Sequence, residues 1–364
     1  MRFFLRILCL SFLPALPASA ASAWTVHPLD TDFDLNGVVW TGSQLVAVGG
    51  SFSGENVVYT SKDGAAWDRR PVAGTTQDGL NAVCWTGTQL VAVGPNGNVL
   101  TSPDGIGWTQ RLNSWPEAWV GVAWTGSLLI AVTGLGTILT SPDGIDWTIR
   151  LGGDAGPRTY FNSVAWAHGQ AVALGGTGWK VADGSVHTSP DGMTWTKHTL
   201  ERAPGLRSAA WTGKQWTAVG GIFDGNGDKV VSRLGATSSD GNAWTVASDS
   251  AEEILESVAW AGSGLVAVGW DGVRMFSADG AAWTRTAADT LPRLQAVAWT
   301  GSLAVAVGWG STIVTMPMEP AVSIAPPARS LPAPRSGRTG LYTPSGRRIP
   351  EAGARVSNAL IIAR

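Results

Sequence analysis

Six carboxylates recur along this chain inside one short string. Asp63, Asp104, Asp143, Asp191, Asp240 and Asp279 each sit in S-x-D-G-x-x-W, whose tryptophans are Trp67, Trp108, Trp147, Trp195, Trp244 and Trp283. Equivalent acids spread by a repeat do not make a catalytic centre, because hydrolysis needs two carboxylates converging on one bond. Their chemistry is local. Asp accepts backbone N–H groups of its own turn, Gly supplies positive φ, and Trp covers apolar surface. Asp34, Asp154, Asp271, Glu252, Glu253 and Glu256 fall between the strings and read as loop acids that no spacing pairs. His27, His168, His187 and His198 are scattered and form no metal-ligand set. Asp224, Asn226 and Asp228 place oxygens at alternate positions, as at the start of a calcium loop. Lys229 stands where such a loop needs Gly, and no acid follows at the twelfth position, so a plain polar turn is the simpler reading. No nucleotide-binding or nucleophile-elbow motif is present. No catalytic residue, metal or cofactor is assigned, and the reading leans away from an enzyme.

The elements that carry these strings follow from a second repeat. V-A-W-T-G, or a near variant, occurs seven times, at Trp40, Trp85, Trp124, Trp166, Trp211, Trp260 and Trp299. The gaps are 45, 39, 42, 45, 49 and 39 residues. A period near forty with Gly-marked turns and Val-rich runs predicts a β-propeller. Residues 80–112 show one unit. Leu80 to Trp85, Gln89 to Val93, Asn98 to Ser102 and Trp108 to Leu112 read as strands A to D. Pro95-Asn96-Gly97 between B and C is a hairpin signal. Seven V-A-W strings against six S-x-D-G-x-x-W strings leave the last repeat without strand D. Residues 23–29 match the strand-D pattern, so the expected fold is all-β. It is a seven-bladed propeller of four-stranded antiparallel blades over residues 24–317, its last blade closed by the N-terminal strand.

The S-x-D-G-x-x-W string resembles the Asp-box (BNR) repeat of sialidase-like propellers, shortened by one residue between Asp and Trp. In that family an arginine cluster and a Tyr–Glu pair act on the substrate. Only Tyr59 and Tyr160 are available in the repeats, Tyr59 lies in a strand C, and no Arg-Ile-Pro string stands near their start. The tandem blades also resemble propellers of the photosystem II assembly-factor type, which implies a role in holding a partner.

Outside the repeats, Arg2 and Arg6, an apolar run from Ile7 to Leu16 and Ala18-Ser19-Ala20 read as a signal peptide over residues 1–20. Cleavage after 23 fits equally. The run is too short to span a bilayer, so no transmembrane segment is expected after cleavage, and the protein is expected to be secreted or at the cell surface. Cys84 is then the single cysteine, in the Ala slot of a V-A-W string, and reads as core. Residues 318–334 form a Pro-rich linker and 335–364 a basic tail. The tail's Gly346-Arg347-Arg348-Ile349 and final Ala359-to-Arg364 run resemble a type IX-like C-terminal sorting region. Of the chain's net −2, the signal contributes +2 and the 319–364 tail +5, which leaves the repeats near −9. An acidic disc is a poor nucleic-acid binder.

A ligand is expected on the face of the D-to-A and B-to-C loops, where the repeats differ. Trp115, Trp119, Tyr160, Phe161, Trp179, Trp270, Asp271 and Trp309 are the candidates. Aromatic groups on a concave face suit a glycan or a protein loop. Trp216, inside a strand B, reads as core. The resulting expectation is a monomeric, non-catalytic propeller binding a glycan or a protein. The alternative is a divergent glycoside hydrolase using loop carboxylates.

Overall fold

The computed structural model describes residues 23–318 apart from 30, 51–54, 73–78, 113–114, 153–158, 178–183, 202–204, 224–229, 250, 252 and 288–289. The expected signal peptide, Asp154, Trp179, the Asp224–Asp228 stretch, Glu252, and the expected linker beyond 318 and tail lie outside these residues. Among the described residues no helix is long and apolar enough to cross a membrane.

Seven four-stranded sheets form seven blades, and every strand pairing within them is antiparallel. The innermost A strands are Asp34–Trp40, Ala82–Trp85, Trp119–Trp124, Thr159–Ala167, Leu206–Trp211, Leu255–Trp260 and Leu294–Trp299. Strand B of each blade is a mainly apolar run, and Leu45–Gly50 and Leu90–Val93, for example, are buried throughout. An all-apolar run is what a strand covered on both faces requires. A buried cluster lies between each pair of neighbouring blades, the seventh joining blade 7 to blade 1 through Val305 and Val307 against Leu35 and Leu45. Trp216 and Cys84 belong to two of these clusters. Burial pushes the Cys84 thiol up to about 12.

The expected closure is present. Thr25–Val26 adds to the outer edge of blade 7, Thr25 opposite Thr315 and Val26 opposite Val314. The His27 N–H continues the ladder to the Ile313 carbonyl at 2.8 Å. Trp24 packs with the blade 6–7 cluster and donates from Nε1 to Thr286 Oγ1 at 3.0 Å.

The six S-x-D-G turns share one geometry. In Ser102–Trp108 the Asp104 carboxylate accepts the Ile106 and Gly107 N–H groups at 2.9 and 3.1 Å, and Ser102 Oγ accepts the Gly105 N–H at 2.8 Å. These N–H donors hold the Asp104 pKa below its ordinary value, and the other five aspartates are held down in the same way. Five of the six tryptophans donate from Nε1 to the Gly carbonyl of their own turn. Trp147 is the exception. It stands edge-on to Trp119, 4.7 Å between ring centres, and its Nε1 is buried without a partner.

The A-to-B and C-to-D turns lie on one face of the disc and the D-to-A and B-to-C loops on the other, as the up-and-down strand order dictates. On the turn face, glutamine side chains link consecutive blades. Gln89 Nε2 donates to the Asp143 carbonyl at 2.8 Å, and Gln44, Gln170 and Gln215 reach the carbonyls of Asp104, Asp240 and Asp279. The corresponding position is Leu128 in blade 3, Gly264 in blade 6 and Leu303 in blade 7.

Candidate binding site at the channel mouth

The site begins with a backbone irregularity. In six of the seven A strands the register against strand B slips by one residue near the strand's start. Each slip is a β-bulge, which leaves one residue unpaired and re-aims its side chain. The bulged residues are Asn36, Val120, Asn162, Arg207, Glu256 and Gln295, and Asn81 holds the same place in blade 2. All seven line the central channel, a cavity of about 410 Å³, at the end facing the loops.

This ring has two unlike arcs. Over blades 1, 2 and 4 the bulged asparagines hold the ring together, Asn36 donating to the Leu80 carbonyl, Asn81 to Trp119 and Asn162 to Leu206, at 2.8–2.9 Å. Blades 5 to 7 carry charge instead. Glu256 accepts from Arg207 Nη1 at 3.2 Å and from Arg293 Nη2 at 2.7 Å, and its own side chain is 8% exposed. The Trp270 indole N–H also donates to Glu256. Arg293 lies between two tryptophans, its guanidinium carbon 4.8 Å from the Trp270 ring and 5.1 Å from the Trp309 ring. Such stacking favours arginine, whose planar group is weakly hydrated.

Two guanidinium groups against one carboxylate leave the cluster net positive. Burial draws the Arg293 pKa below its usual value while Glu256 opposes the shift, and the group stays charged. Nε of Arg207 and Nε of Arg293 are buried without a hydrogen-bond partner. Asp34 adds negative charge near Arg293 and accepts the Gly310 N–H at 3.0 Å. Tyr160 stands beside the mouth within the field of Arg207. Burial raises its pKa, and the arginine pulls the other way.

The sequence candidates divide accordingly. Trp270, Trp309 and Tyr160 gather at the mouth, and Trp309 remains 43% exposed. Asp271 is exposed at the tip of the Trp270–Gly272 turn, where its φ of 52 suits a tight hairpin. Trp119 and Phe161 are withdrawn as ligand contacts. Both are buried, because they fill the slot that Leu35, Leu80 and Leu206 occupy in other A strands. Trp115 is half-buried over the blade 2 hairpin, its N–H on the Asn96 carbonyl at 3.0 Å. The "loop acid" reading is corrected for Asp34 and Glu256, which stand in A strands, and Glu253 is paired with Arg233 and Arg285. Among the described residues no group of three or more His, Cys, Asp or Glu could hold a metal ion.

Arg207, Arg293 and the bulged asparagines were not singled out from sequence. For Arg207 and the asparagines the signal is a single repeat column, the residue after the strand-opening Leu, Trp or Phe; Arg293 lies outside it, immediately before Leu294. The column reads Asn, Asn, Val, Asn, Arg, Glu, Gln around the ring while its neighbours stay small or apolar.

No protein-family model matches the chain, and no curated protein matches it either. Solved structures do. YCF48 from Cyanidioschyzon merolae superposes with a TM-score of 0.61 at 17% identity, over 81% of this chain and 99% of that one. A structure of YCF48 bound to a D1 peptide gives 0.63 at 17% identity, over 84% and 100%. A virginiamycin B lyase from Staphylococcus aureus gives 0.62 at 8% identity, over 82% and 100%. At these identities the likeness establishes the fold that the chain shares with them, a seven-bladed propeller of four-stranded blades.

Proposed function

We propose that this protein is an exported, non-catalytic propeller that holds a segment of a partner protein at its loop-face channel mouth. The observation that carries the reading is the Arg207–Glu256–Arg293 cluster flanked by Trp270 and Trp309. It is a fixed charge beside an exposed aromatic surface, on the face where the repeats differ. Arginine and tryptophan are the residues that most often anchor protein contacts. The YCF48 structure with a bound peptide supports a protein partner over a glycan. Glu256 is committed to two arginines and an indole, an arrangement that suits holding better than proton transfer. Export rests on the N-terminal signal pattern. The six S-x-D-G turns act in this reading as shortened Asp-boxes with a structural role, and the tail as a sorting region.

The test is to pan a displayed random-peptide library against the purified protein, with a glycan array run in parallel. Peptides enriched by the wild type are expected to bind Trp309→Ala and Arg293→Gln at least tenfold more weakly, with folding checked by circular dichroism. Glycan binding without peptide enrichment would overturn the protein-partner reading. Release of reducing sugar from a polysaccharide, lost in Glu256→Gln, would overturn the non-catalytic one.

A further inference from the structure

The opposite face carries its own asymmetry. In each S-x-D-G turn the residue after Gly is exposed, although the Asn242 side chain also accepts from Thr188 Oγ1. Blades 1, 5 and 6 place Ala65, Asn242 and Ala281 there, whereas blades 2, 3 and 4 place Ile106, Ile145 and Met193, at 48%, 45% and 45% exposure. The same three turns carry Pro103, Pro142 and Pro190 before the Asp, where the others carry Lys62, Ser239 and Ala278. The hydrogen bonds of the turn are the same in both sets. Folding therefore does not call for the large apolar groups, since sibling turns in the same molecule manage with Ala or Asn. Exposed apolar groups placed in one arc, over three consecutive blades, mark an interaction surface.

Charge narrows what could cover it. Asp104, Asp143 and Asp191 lie two residues before the three tips, and Asp146 follows the second one. The nearby Arg111 and Arg150 turn back onto Thr101 and Thr140 through Nε, each at 2.8 Å. A bilayer would have to bury these carboxylates along with the apolar tips. A two-fold pairing of copies would set acid against acid. A partner with apolar and basic side chains satisfies both features. We propose that the turn face of blades 2 to 4 docks a basic, apolar segment of a partner protein, seated on Ile106, Ile145 and Met193.

The decisive variant is the triple change I106A/I145A/M193A, which copies the Ala found in blades 1 and 6 and is expected to keep the wild-type melting temperature. The probe is a fluorescein-labelled eight-residue peptide of alternating Leu and Lys, with a Leu–Glu peptide as its counterpart. By fluorescence anisotropy the full-length wild type is expected to bind the Leu–Lys peptide at least tenfold more tightly than the triple variant. Binding should weaken with salt, and the Leu–Glu peptide should not bind. Ile145→Lys, which adds a cation and leaves the other two tips in place, is expected to weaken binding as well. Equal affinity of wild type and variants, or equal binding of both peptides, would overturn the proposal. So would wild-type co-sedimentation with phosphatidylcholine vesicles, or dimerisation seen by light scattering, if the triple change abolishes it.

Discussion

Glu256 sits between two guanidinium groups and is nearly closed off from solvent. Removing its charge would leave Arg207 and Arg293 facing each other. Breaking one side of a buried charge network costs about 3 kcal/mol, somewhat less where the arginines keep some water contact. Glu256→Gln is therefore expected to lower the urea midpoint clearly, whereas Glu256→Gln combined with Arg207→Gln should recover part of the loss. A second residue-scale effect concerns His187. Burial, with the charges of Lys197 and His198 adding to it, lowers its pKa from 6.5 to about 4, and its ring packs edge-on against Phe161. The folded pKa lies below the unfolded one. The contribution to stability is thus complete above about pH 6.5 and is lost as pH falls toward 4, a change of about 3 kcal/mol. His187→Gln should flatten the decline of unfolding free energy over that window. An unchanged pH profile would assign the decline to other groups.

At the scale of the elements, the bulge and the glutamine bridge divide the work between the two faces. The bulge opens six of the seven A strands toward the channel, and in four blades a Gln side chain ties the A-to-B turn to the next blade. Each bridge is an ordinary amide–carbonyl bond, so Gln89→Ala is expected to cost about 1 kcal/mol in chemical denaturation. The strands themselves were legible in the sequence, because the apolar B runs, the Thr-Gly turns and the Asn96-Gly97 hairpin each carry a local signal. The bulges were not. A bulge is a property of pairing register, and Asn36 or Arg207 looks like any strand residue until strand B is set beside it. Trp119 misled for the complementary reason. A large aromatic group standing where other repeats have Leu reads as a loop anchor from its type, and only packing against Trp147 shows it to be core.

For the whole molecule, counting two unequal repeats was enough to give the number of blades and the closing strand, because the seventh repeat lacks only its strand D and residues 23–29 carry that strand's pattern. The charged arc was out of reach, since Arg207 and Arg293 stand 49 and 37 residues from Glu256 in the chain and meet it only when blades 5, 6 and 7 pack side by side. Removing residues 24–29 would strip Trp24 from the blade 6–7 cluster and expose the edge of Ile313–Pro317. The truncated protein is expected to melt at lower temperature and to aggregate on concentration, as read by differential scanning fluorimetry and light scattering. Unchanged values for both would mean that the closing strand is dispensable.

That closing strand also fixes an order of events. Thr25 finds Thr315 only after about 290 intervening residues have been made and have emerged. Joining such distant segments is entropically mild, because the closure cost grows only logarithmically with length. It cannot happen early, however. Until Ile313–Pro317 has been made, Thr25–Val26 must wait without its strand partner, so during synthesis the ring is sealed last, by the strand that was made first.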